Sequence, residues 1–134
     1  MVPARGEAGR THPVAEYGQL DPLLQRSSAA TGVVVYRDDA VPQLTNRLLF
    51  GDLPSGEVFH VSADQLPTGG QDAIRRVLFS DGGDATTLLQ LVQEKSRAQG
   101  RSPATRVDLH FGTGPDGRVF LLNKRDGVIR EIVR

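Results

Sequence analysis

The chain has 134 residues, which suits one domain with a modest core. Sixteen Lys and Arg balance sixteen Asp and Glu, so net charge offers no attraction to nucleic acid or to an anionic membrane surface. Cysteine is absent, which excludes disulfides and thiolate metal ligands, and no apolar run approaches membrane-spanning length.

In chain order, residues 1–12 (MVPARGEAGRTH) are polar and aperiodic, so a disordered lead-in is expected ahead of a domain over 13–134. This stretch has no apolar centre and does not read as a secretory signal. Pro13-Val14-Ala15-Glu16-Tyr17 reads as a short edge strand. Gly18 to Ala30 reads as a connection with a turn at Asp21-Pro22, in which Leu20, Leu23 and Leu24 would cover a sheet edge.

Thr31 to Val61 holds three short apolar runs, Val33 to Tyr36, Leu48 to Phe50 and Val58 to Val61. They are separated by turn formers such as Asp38-Asp39, Pro42, Asn46, Pro54 and Gly56. That is the pattern of an antiparallel meander. The unbroken run Val33 to Tyr36 predicts a strand buried on both faces, with Gly32 allowing close backbone approach. Ala73 to Phe79 is expected to add a fourth, outer strand whose Arg75-Arg76 pair blunts the edge.

After Ser80-Asp81-Gly82-Gly83 the period changes. Leu88, Leu89, Leu91 and Val92 form a helical stripe, and one helix is expected over Asp84 to Gly100, with Asp84 as N-cap and Gly100 as stop. A second meander follows in Arg106–Phe111, Arg118–Leu122 and Val128–Val133, with hairpin turns at Asp116-Gly117 and Asp126-Gly127. Two meanders of like rhythm predict a mainly β fold. The expected form is a partial β-propeller of about two four-stranded antiparallel blades with one inserted helix.

Two of these stretches, VVYRDDAVPQLTNRLLFGDLPSGEVF and VDLHFGTGPDGRVFLLNKRDGVIREIV, resemble the glucose/sorbosone dehydrogenase family. The second is similar to that family's last blade. The resemblance covers Pro13 to Arg134 apart from the stretch near Gln71 to Arg101. It implies the C-terminal blades of a six-bladed quinoprotein propeller. Such a protein oxidises a sugar hydroxyl with pyrroloquinoline quinone (PQQ), which calcium holds in place, while a His acts as general base. That His belongs to an early blade, and His12, His60 and His110 fall in no matching motif. No catalytic residue and no metal ligand is therefore assigned, and the chain is expected to be inactive alone. The family is commonly periplasmic or secreted, so the lack of a secretory signal over 1–12 leads to the expectation of a fragment, a truncation or a misassigned start.

Among the family's cofactor contacts, a Lys position corresponds here to Pro54. Two Arg positions correspond to Thr105 and Val107, with Arg106 one place off, so Arg106 is the single candidate cofactor-binding residue. The expected partners are the remaining blades or further copies of the chain, with a sugar as possible ligand and no nucleic acid or membrane. A non-catalytic propeller serving as a binding or scaffold module, self-assembling or not, is the alternative.

The other chemistry-bearing residues have structural explanations. Asp108 and His110 share a strand face and are expected to form a hydrogen-bonded pair, or less often a metal or proton-relay pair. His60 is expected to face solvent. Tyr36 is expected to be buried, with Arg37 paired to a nearby Asp. Asp81 to Asp84 is too short for a calcium loop and reads as a turn plus N-cap.

Overall fold

The structure is a computed structural model, which describes residues 13–18, 20–21 and 26–134. The lead-in expected over 1–12 lies outside the described residues, as do Leu23, Leu24 and the side chain of Leu20. A small hairpin pairs β1 (Leu20–Asp21) with β2 (Arg26–Ser27).

The fold is mainly β, with the layout of a partial propeller. Blade one is a four-stranded antiparallel sheet of β3 (Ala30–Tyr36), β4 (Arg47–Asp52), β5 (Val58–Ser62) and β6 (Arg75–Val77), laid side by side in chain order. A hairpin of β7 (Phe79–Asp81) and β8 (Asp84–Thr86) leads into the helix α1 (Leu88–Ala98). Blade two contains β9 (Leu109–Thr113), β10 (Val119–Asn123) and β11 (Arg130–Glu131), again in chain order. It has three described strands, the number that the second meander predicts.

Each blade thus runs from an inner to an outer strand, and the two inner strands lie together. The Thr31 hydroxyl of β3 donates to the carbonyl of Leu109 in β9 at 3.4 Å. Alternation then sorts the side chains. Val34, Tyr36, Leu49 and Val58 fall on the face of blade one that meets Leu109, Val119 and Leu121 of blade two, and α1 adds Leu88 and Val92. Glycines make this contact close. Gly32 (φ 63°) lies under the Phe111 ring, and Gly56 (φ 76°) leaves a space in which a Cβ would stand 2.5 Å from a Val107 methyl.

Several expectations need correction. Residues 13–17 do not form a strand. They make a strap across the other face of blade one, held where Glu16 N donates to Gly70 O (2.9 Å) and Gly69 N to Val14 O (3.0 Å). Val33 is 69% exposed rather than buried, because the register with β4 slips between Thr31 and Val34 and the bulge turns it outward.

The outer strand ends at Val77. Beyond it Leu78 is exposed, and Phe79 pairs with Thr86 in the next hairpin, where Gly82 and Gly83 both take positive φ. Asp84 is spent in that hairpin, opposite Asp81. The helix is capped instead by Thr87, whose hydroxyl accepts from Gln90 N while the Gln90 side chain accepts from Thr87 N. Gly100 (φ 69°) does follow the helix end, as expected. β9 begins at Leu109 and not at Arg106, because Asp108 adopts φ 58° and interrupts the extended run.

Candidate functional site

Two places deserve the description of candidate sites: the end of the blades where the family's cofactor contacts would fall, and a groove on the outer face of blade one.

At the first, the turn after β4 and the lead-in to β9 lie side by side. Val107 N donates to Pro54 O at 2.8 Å, and Leu109 N donates to Leu53 O at 3.0 Å. Pro54 and residues 105–107, the positions that the resemblance equates with cofactor contacts, are therefore neighbours in space. The sequence signal for this was two separate motifs, and the structure brings them together. The turn is built on Asp52, whose fully buried carboxylate accepts from Ala29 N (2.7 Å), Ser55 N (3.0 Å) and the Ser55 hydroxyl. The Tyr17 hydroxyl donates to the same carboxylate at 3.4 Å. One buried acid thus organises the turn and holds the strap.

The residues at these positions do not supply the cationic contacts that the resemblance assigns there. Pro54 carries no charge, and Val107 is fully buried on Gly56. Arg106 lies at the surface, and its Nε donates to Asp108 Oδ1 at 2.9 Å. Arg125 approaches the other oxygen of Asp108 at 2.5 Å. Burial by itself would raise the Asp108 carboxyl. The hydrogen bonds from Arg106 and Arg125 outweigh it and hold the carboxyl below the usual carboxylate range. Asp108 therefore joins two arginines, and its expected pairing with His110 is not formed; His110 is exposed on β9. Sequence spacing missed this because Arg125 is remote in the chain and the positive φ of Asp108 breaks the alternation on which the pairing was argued. Among the described residues, no group of three or more His, Cys, Asp and Glu is placed to hold a metal ion.

Other expected positions also shift. His60 is half-buried rather than facing solvent, and its Nδ1 accepts from Arg47 Nε at 2.9 Å. Burial, then the charges of Arg47 and Arg75, push the imidazole below its ordinary value. Tyr36 is fully buried as expected, its hydroxyl donating to Ile132 O at 3.4 Å, but Arg37 donates to Asn46 Oδ1 (2.6 Å) and not to an Asp. Arg76 does more than blunt an edge. It binds both oxygens of Glu57, a carboxylate that is nearly buried beside the turn. Asp81 to Asp84 forms the tight hairpin described above.

The second place is a groove of about 750 Å³ between the strap and blade one. Val14, Tyr17, Val33, Leu48, Phe50 and Val61 give it apolar walls. Tyr17, Phe50 and Phe59 form an aromatic cluster beside it, with ring centroids 5.5 to 6.3 Å apart. Glu16 contributes a carboxylate, oriented by Gly70 N at 3.1 Å. Its size falls within the usual range of small-molecule pockets, roughly 300–1,000 Å³. Sequence reasoning missed the groove because it depends on the strap crossing the sheet, which the composition of Pro13 to Tyr17 does not encode.

No protein-family model, curated protein or solved structure matches the chain.

Proposed function

We propose that this chain is a pair of propeller blades of the glucose/sorbosone dehydrogenase type that acts as a non-catalytic binding or scaffold module. The observation that carries this reading is the packing of Val107 on Gly56. There the resemblance gives the family a cationic cofactor contact, whereas here an apolar side chain closes the space between the blades. Arg106, next to Val107 in the chain, is committed to Asp108. The groove between the strap and blade one supports a binding role, since it is large enough for a small molecule and walled by aromatic and aliphatic groups.

Titration of the full chain with PQQ and calcium chloride, followed by calorimetry and by the quinone's absorbance, tests this reading. No saturable binding and no quinone reduction on adding glucose are expected. Saturable binding that weakens when Arg106 is changed to Ala would instead favour a segment of a quinoprotein sugar dehydrogenase.

A further inference from the structure

The lining of the groove on blade one bears on what it would take up, a step that rests on the binding-module reading above. Six successive residues, Ser28 to Val33, line it. Ser28 and Ala29 precede β3 and the bulge in β3 breaks its alternation, so this stretch joins Leu48, Phe50 and Val61 of the sheet face in lining the groove. β3 is the end strand of its sheet and packs against β9 of blade two at Thr31 and Gly32. The bulge between Thr31 and Val34 turns Val33 outward beside the groove. The Tyr17 and Phe50 rings stand along the same groove. Glu16 is the one Asp, Glu, Lys or Arg among the described lining residues. Its carboxylate is already oriented by Gly70 N.

We propose that this groove binds a small primary ammonium compound with an aromatic or aliphatic body. The body lies against Tyr17, Phe50 and Val33. The ammonium group meets Glu16. Aromatic walls favour a cation over a neutral group of the same shape, and a lone acid disfavours an anion.

The test uses the full ¹⁵N-labelled chain and three probes of matched shape: phenethylammonium, 2-phenylethanol and phenylacetate. Amide shifts on titration report both site and affinity. Saturable shifts confined to residues 14–17, 28–33 and 48–50 are expected, with affinity falling from the ammonium to the alcohol to the carboxylate. Glu16→Gln keeps an acceptor for Gly70 N but removes the charge. It should weaken the ammonium by about two- to fivefold, the size of an exposed charge contact, and leave the alcohol unchanged. Equal binding of ammonium and alcohol, or an ammonium affinity indifferent to Glu16→Gln, would overturn the ligand class while leaving a binding groove in place. If no probe shifts these amides, the binding-module reading of the groove fails with it. Shifts that instead follow protein concentration would assign the groove to a second copy of the chain and overturn the ligand class.

Discussion

The ring of Phe111 lies directly over Gly32, so that a side-chain carbon at residue 32 would overlap it. This contact joins the inner strands of the two blades, and it combines a steric demand with a backbone demand, since Gly32 also has φ 63°. Gly32→Ala should therefore cost about 2–4 kcal/mol in urea unfolding, from overpacking added to left-handed strain. Gly82 has φ 60° and nothing within 4 Å of the Cβ position, so Gly82→Ala should cost only about 1 kcal/mol. Equal costs at the two sites would remove the blade contact from this account.

Asp52 gathers donors from three parts of the chain: Tyr17 on the strap, Ala29 before β3, and Ser55 in the turn. Asp52→Ala leaves these donors without their acceptor in a buried place, and a loss of about 2–4 kcal/mol is expected. Amide hydrogen exchange gives the finer check. The bonds from Glu16 N and Gly69 N should open faster in the variant, because the strap loses its anchor at Tyr17.

The helix start offers a direct comparison of two threonine- and aspartate-based readings. Thr87→Ala removes the cap of α1 and should lower stability by about 1 kcal/mol. Asp84→Ala changes an exposed residue in the β7–β8 hairpin and should stay within about 0.5 kcal/mol of the parent. Denaturant midpoints followed by circular dichroism would separate them, and a larger effect at Asp84 would return the cap to that residue.

His60 makes stability depend on pH. Its imidazole is held below the ordinary value of 6.5 in the folded chain, so the unfolded chain binds the proton more readily. The contribution is fully present above 6.5 and is lost as pH falls from there through the folded value. Urea midpoints should therefore decline from pH 7 toward pH 5. His60→Gln should flatten that decline, while the acid loss below pH 4 persists through Asp108, Asp126 and Glu131, whose folded values are also depressed. An unchanged slope between pH 7 and 5 in the variant would show that another group carries it.

Local pattern was enough to read several features. The apolar runs around Tyr36, Leu49 and Val58 predict strands, and each lies in one of β3 to β5. The stripe at Leu88 and Val92 predicts a helix whose buried face carries those residues. Asp126-Gly127 predicts a turn. There the Asp126 carboxylate accepts from Asn123, Val128 N and Arg130, links that span at most four residues and so are visible in sequence.

What sequence by itself determined about this protein is the place of β3 to β5, of the body of α1 and of the Asp126 turn, since periodicity and turn chemistry act over a few neighbouring residues. Tertiary structure alone decided which sheet face is covered, that Asp108 serves Arg106 and Arg125 instead of His110, and that residues 13–17 cross blade one to wall a groove. Those outcomes depend on partners far apart in the chain, and a run such as Val33 to Tyr36 has the same local preference whether another surface packs on it or leaves Val33 open to solvent.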